Sequence, residues 1–275
     1  DPDLVTLDVE MPEMDGIQTL IELRAQRPRL PVIMFSTLTE RGAKVTMDAL
    51  LQGANDYVTK PANVGSVTEA IQRIREELVP KIHALSGRVQ PPRRSPSRPV
   101  SPSGPLSPST TRGTRPATTS IEAVVVGVST GGPNALLEMI AGLPACLPVP
   151  ILIVQHMPKM FTKLLAERLD ARAEVTVEEA KADQELRPGH VYIAPGDRHL
   201  EVVGHGRRAV TRLTDDPREN SCRPAADVLF RTAAAHYRAG LLGVVLTGMG
   251  RDGRRGAERI HELGGRVIVQ DQATS

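Results

Sequence analysis

Apolar residues fall along this 275-residue chain in two patterned blocks, separated by a stretch with no periodicity. In the first block, LVTLDV (4–9) and LPVIMFS (30–36) are continuous apolar runs of strand length. IQTLIELRAQ (17–26) and VTEAIQRIREELV (67–79) instead carry apolar residues at helical spacing. ALLQGANDYVTKP (49–61) predicts a helix stopped at Gly53 and a short strand ending before Pro61. Strands and helices in alternation predict a parallel sheet covered by helices.

Over 86–120 the pattern vanishes into Pro, Ser, Thr and Arg, a composition that cannot bury a core and predicts an extended, solvated linker. From 121 onward the alternation returns. AVVVGV (123–128), VPILIV (149–154) and LLGVVL (241–246) read as buried strands. A helix is predicted to start near Pro133, with others at 161–170, 225–237 and 256–265. VTVEEA, HVYIAP and LEVVG read as shorter strands, with hairpin pairing an option. The predicted organisation is therefore two doubly wound α/β domains, 1–83 and 121–275, joined by a linker at 84–120.

Aromatics are only 2% of the chain, with no Trp, which argues against a base-stacking surface for nucleic acid. The net charge of +2 hides a segregation: residues 1–80 carry 8 basic and 13 acidic side chains, 81–120 carry 7 basic and none acidic, and 121–275 carry 19 of each. Only the linker attracts anions, and it has no organised reader. No apolar run approaches a membrane span and no signal peptide precedes the first strand, so a cytoplasmic location is expected, with Cys146 and Cys222 as free thiols. No Cys/His spacing suggests zinc. The chain opens on Asp1 and closes on Ser275 beside strand-like runs, which reads as a cut from a longer protein.

The candidate chemistry gathers where strands end. In the first block Asp8, Ser36 and Lys60 each end a strand, so one sheet edge would hold a carboxylate, a hydroxyl and an ammonium. That set suits phosphoryl transfer to Asp8, with Lys60 on the phosphoryl oxygens and Ser36 sensing the modified state. Each residue alone also fits a turn, a buried hydroxyl or a surface lysine. In the second block the turns STGG (129–132), QHMP (155–158) and TGMGRDG (247–253) supply Ser129, His156 and Asp252. In an open parallel sheet such turns line the ligand crevice, so a nucleophile, a base and an orienting carboxylate have a geometric reason to meet. GVSTG also fits the strand–turn–helix elbow, although Ser129 alone equally fits an N-cap or a phosphate cradle. The other six histidines do not directly end so strong an apolar run.

DLVTLDVEMPEMDG, PVIMFS and DYVTKP together resemble the receiver domain of two-component response regulators. The resemblance implies Asp8 as phosphoacceptor, Ser36 as switch hydroxyl and Lys60 as the family's lysine. It also implies magnesium in the full-length protein, held by an acidic pair after the family's first strand; this chain begins at the third. VVVGVSTGGPNALLEM, IVQHMP, YIAPGDRHL, RPAADVLF and VVLTGMGRDG resemble the catalytic domain of chemotaxis protein-glutamate methylesterases. That resemblance implies a serine hydrolase of methylated glutamates on chemoreceptors, with glutamine deamidation as a second activity. Ser129, His156 and Asp252 would be its triad, and the Met249 backbone N–H would face the oxyanion. No metal or other cofactor is expected for catalysis. A chemotaxis histidine kinase would be the phosphodonor, and no nucleic acid or membrane insertion is expected. The competing expectation is a regulator that binds a partner protein through its second domain without turnover.

Overall fold

The computed structural model describes residues 2–37, 39–61, 66–86, 120–205 and 208–271. Most of the predicted linker lies outside these residues. The first block forms three parallel strands in the order β1 (Val5–Asp8), β2 (Val32–Thr37) and β3 (Asp56–Lys60). Three helices connect or follow them: α1 (Gly16–Gln26), α2 (Glu40–Leu51) and α3 (Val67–Leu85). Asp15, Thr39 and Ser66 cap their N-termini by accepting from backbone N–H groups three residues on. Helix α3 runs six residues past its predicted end, through Pro80. Lys81, on the turn containing that proline, donates to the Tyr57 carbonyl at 2.5 Å and to Asp56 at 3.1 Å, which anchors the continuing helix to β3.

The second block is built on six parallel strands in the order β11-β10-β4-β5-β7-β6. These are β4 (Ala123–Val128), β5 (Ile151–Gln155), β6 (Thr176–Glu179), β7 (His190–Ile193), β10 (Leu241–Val245) and β11 (Arg266–Val269). Side chains alternate across the sheet. Val126, Val128, Ile151 and Ile153 pack with α4 (Gly132–Ala141) and α5 (Lys159–Asp170), whereas Ala123, Val125, Leu152 and Val154 pack with α6 (Ala226–Tyr237) and α7 (Arg254–Glu262). Both faces are thus covered, as a parallel sheet requires.

Two differences from the sequence reading concern strands. β6 and β7 pair in parallel and extend the main sheet; they are not a hairpin. The hairpin is β8 (His199–His205) with β9 (Arg208–Thr214), and β9 was not predicted. Its arginines and threonines dilute the apolar signal because only one face of the ribbon is buried. Strand β4 lies between β10 and β5, so the chain winds outward in both directions from it. The crevice at the carboxyl ends of β4 and β10 is the topological switch point of this sheet.

The two blocks touch. Helix α2 packs on α5 and α4. Tyr57 stacks on Phe161 with ring centroids 4.6 Å apart, Asn134 donates to the Ala54 carbonyl at 2.8 Å, and Arg168 pairs with Asp48 at 2.6 Å.

Candidate active site

Ser129 leaves β4 on a turn whose backbone is tied down from three sides. Its N–H donates to the Thr247 carbonyl at 3.0 Å, and its carbonyl accepts from Gly132 N–H and from Gln155 Nε2. Glycine is required twice in this turn. Gly131 has φ +76°, and a side chain on Gly132 would meet the Gln155 amide oxygen at 1.9 Å. Thr247 closes the opposite side, donating from its hydroxyl to the Thr130 carbonyl at 3.0 Å.

His156 directly follows β5, and its N–H donates to the Val128 carbonyl at 3.3 Å. Parallel pairing of β5 beside β4 therefore sets the ring against the serine turn. His156 Nδ1 lies 3.1 Å from Ser129 Oγ, and Nε2 lies 2.8 Å from Asp252 Oδ2. The two ring nitrogens serve the opposite partners from those in the chymotrypsin arrangement. A neutral imidazole with its proton on Nε2 satisfies both contacts, donating to Asp252 and offering the Nδ1 lone pair to Ser129.

Asp252 lies in the loop after β10, where its side chain is 4% exposed. It sits at the N-terminus of α6 and accepts the N–H groups of Ala226 at 2.6 Å and Asp227 at 3.1 Å. Asn220 Nδ2 donates to its other oxygen side at 2.8 Å. Burial alone would raise the Asp252 pKa, but the His156 hydrogen bond and these donors hold it below the ordinary carboxylate value. Burial likewise pulls His156 down, yet the hydrogen bonds to Asp252 and to Cys222 outweigh it and raise the imidazole to about 9.

Met249 and Gly248 line the same cleft as Ser129, His156 and Asp252. Gly248 lets the loop approach: a Cβ there would stand 2.8 Å from the Ser129 Cβ. Three neighbours carry no signal at strand ends. Asn220 bridges Asp252 and the fully buried Asp227, Gln155 braces the serine turn, and Cys222 stands beside His156 and Asp252. Asn220 and Cys222 come from the loop 218–225, which has no hydrophobic period; its hint is only the run of polar residues before an apolar helix.

In the first block, Lys60 Nζ contacts both oxygens of Asp8, at 2.7 and 2.9 Å. Burial would raise Asp8, but Lys60 and the Glu10 N–H lower it on balance. Ser36 is buried and turned away, donating toward the carbonyls of Thr37 and Gly42 at 3.2 Å each. Among the described residues no group of three acidic, His or Cys donors gathers around Asp8.

Comparison with known proteins agrees with this architecture. The CheB methylesterase family matches residues 124–275, and the response regulator receiver domain matches residues 1–72. A protein-glutamate methylesterase/protein-glutamine glutaminase of Trichodesmium erythraeum is 49% identical over 282 residues, spanning 100% of this chain and 77% of its own length. A protein of the same name from Nocardioides sp. is 51% identical, spanning 100% of this chain and 74% of its own length. The crystal structure of the Thermotoga maritima CheB methylesterase catalytic domain superposes with a TM-score of 0.54 at 46% identity, covering 56% of this chain and 81% of that one. The chain belongs to the CheB family of protein-glutamate methylesterases/protein-glutamine glutaminases, with a receiver domain ahead of the catalytic domain.

Proposed function

We propose that this chain hydrolyses glutamate methyl esters on chemoreceptors through Ser129, His156 and Asp252, under control of a receiver phosphorylated on Asp8. The observation that carries the reading is the unbroken relay from Ser129 Oγ to His156 Nδ1, and from Nε2 to Asp252, at 3.1 and 2.8 Å. Attack by Ser129 Oγ on the ester carbonyl transfers the hydroxyl proton to Nδ1. The tetrahedral oxyanion is held by backbone N–H groups of the cleft, with Met249 as the proposed donor. Loss of one such donor typically costs ~3–4 kcal/mol in the transition state. The imidazolium returns its proton to the departing methanol. Water then enters, gives its proton to Nδ1 and attacks the acyl carbon; as the acyl bond breaks, Nδ1 returns that proton to Ser129 Oγ and a free glutamate is left. The same sequence on a glutamine side chain releases ammonia.

Asp252 fixes the tautomer and stabilises the imidazolium. Its position at the α6 N-terminus supports that role, since two helix N–H groups keep the carboxylate ionised. In the receiver, Asp8 is the proposed phosphoacceptor from a chemotaxis histidine kinase, with Lys60 as counter-charge. Ser36 would turn from its present partners toward the phosphoryl group, and magnesium would serve phosphorylation in the full-length protein. None of the helices among the described residues is long and apolar enough to cross a membrane, in keeping with action at the cytoplasmic side of the receptors.

The test is methanol release from methylated receptor. Ser129→Ala is expected to reduce release by at least ~10³-fold, as removal of a triad nucleophile does elsewhere. Release that persists in that variant would overturn the mechanism.

A further inference from the structure

We propose that His156, Cys222 and Asp252 form a site for one zinc ion, and that zinc bound there switches the esterase off. A ring nitrogen of His156, Sγ of Cys222 and a carboxylate oxygen of Asp252 all lie within 4.8 Å of one another. Among the described residues this is the one such grouping of three or more His, Cys, Asp or Glu donors. The esterase mechanism uses the imidazole and the carboxylate but has no task for the thiol.

The donor set is that of a transition metal. Thiolate and imidazole suit zinc, whereas magnesium and calcium prefer oxygen alone. Zinc holds sulfur at about 2.3 Å and nitrogen or oxygen at about 2.0–2.2 Å, so donors around one ion stand roughly 3.3–3.7 Å apart. Closing this cluster onto an ion takes small side-chain rotations. The supports around it are already in place. Asp252 is held by Ala226 N–H, Asp227 N–H and Asn220 Nδ2, and His156 Nδ1 is paired with Ser129. Metal ligands characteristically have such outer partners, which fix their orientation. Cys222 is set by a tight turn in which it and Glu219 exchange both backbone hydrogen bonds, at 2.9 and 3.1 Å. The His156 side chain is 20% exposed and Cys222 is half-buried, which leaves an entry path and a fourth position for water.

The consequence for turnover follows from valence. Cys222 binds as thiolate, releasing its proton to solvent, and the imidazole binds neutral. A neutral imidazole bound to metal through Nε2 keeps its one proton on Nδ1, so no lone pair faces Ser129. Binding through Nδ1 would place the ion between ring and serine, with the same result. This effect on turnover rests on the triad reading; metal binding itself does not.

The experiment titrates the metal-free full chain with cobalt(II) and with zinc(II). One equivalent of cobalt is expected, with a thiolate-to-cobalt absorption band that disappears in Cys222→Ala. In the unaltered chain, zinc is expected to protect Cys222 from alkylation by iodoacetamide while the exposed Cys146 reacts as before. Zinc should also suppress methanol release, reversibly on chelation. In Cys222→Ala, scored against its own metal-free rate, half-suppression should need at least tenfold more zinc. A cobalt band that survives the substitution, alkylation of Cys222 indifferent to zinc, or an unmoved midpoint would each overturn the proposal. A chain that shows the band and the protection yet never releases methanol would refute the esterase reading and leave the metal site standing.

Discussion

His156 holds two opposing influences in one ring. Burial favours the neutral form, but Asp252 and Cys222 beside it favour the cation, and the pKa rises to about 9 from an ordinary 6.5. A base must be neutral to accept the Ser129 proton, so only the deprotonated fraction is competent. Well below pH 9 that fraction grows tenfold per pH unit. The expected outcome is a kcat/KM for ester hydrolysis that climbs nearly tenfold between pH 7 and 8 and levels off past about pH 9. Asp252→Asn should lower the rate and move the inflection back toward the ordinary imidazole value. An inflection that stays near 6.5 in the unaltered protein would show that the closed His156–Asp252 pair does not govern the reaction. For stability the sign is opposite. A pKa raised on folding contributes stability that is complete below about 6.5 and is lost as pH rises through about 9.

At this scale the sequence was readable wherever a residue directly ended an apolar strand. Ser129, His156, Asp8 and Lys60 all do so, or follow by one position, and Asp252 sits in a glycine-rich loop after β10. Asn220, Cys222 and Gln155 were not readable as site residues, for two different reasons. The first two sit in a loop whose shape depends on left-handed backbone at Asn220 and Ser221, with φ +52° and +66°, which no periodicity announces. Gln155 is buried at the end of β5, and nothing in its neighbours marks a polar side chain there as a brace for another turn.

The elements carry the site because they approach one another closely at a few glycines. Gly196, in the loop after β7, would place a Cβ 2.3 Å from the Lys159 backbone nitrogen, at the start of α5 and three residues after His156. Its N–H also donates to Thr162 Oγ1, whose hydroxyl donates to Glu179 at 2.7 Å. Backbone cannot yield as a side-chain tip does, so Gly196→Ala must displace either the loop or the α5 N-terminus. The expected cost is ~1–3 kcal/mol, seen as a thermal midpoint lower by several degrees, with a loss of esterase activity as His156 shifts. Gly142→Ala is the control, since a Cβ there comes no nearer than 3.6 Å to the Met139 carbonyl oxygen and its φ is −88°. Equal midpoints for the two variants would mean that the loop after β7 adapts freely. Helix and strand type was legible for most elements, β9 and the first turns of α2 excepted, because buried parallel strands and amphipathic helices differ in period. What period cannot give is partner choice. β6 and β7 read as a hairpin candidate because they are short and close in sequence, yet they join the main sheet in parallel because α5 and the loop before β7 carry the chain back across it.

The whole molecule couples two sheets through one contact region. Helix α2 and the end of β3 meet α4 and α5, the helices that follow Ser129 and His156. Three of the interactions there differ in strength. The Arg168–Asp48 pair has both side chains about 40% exposed, so it contributes ~0–1 kcal/mol. The Asn134 hydrogen bond adds ~1 kcal/mol. The Tyr57–Phe161 stack buries two rings in a continuous apolar cluster and is worth ~0.5–1.5 kcal/mol beyond the area it removes from water. Of the three the stack is the strongest, and it lies within the apolar cluster that α2 shares with α4 and α5; Tyr57 belongs to β3, the strand that ends in Lys60 beside Asp8. A change at Asp8, the proposed phosphoacceptor, has a short route to the contact. If the receiver restrains the esterase, Tyr57→Ala is expected to raise methanol release by the unphosphorylated chain several-fold. The Asp48→Ala change, removing only the exposed pair, should raise it less than twofold and lose even that effect at high salt. Equal rates in the Tyr57 variant and the unaltered chain, with secondary structure intact by circular dichroism, would mean that the stack joins the domains without restraining the chemistry.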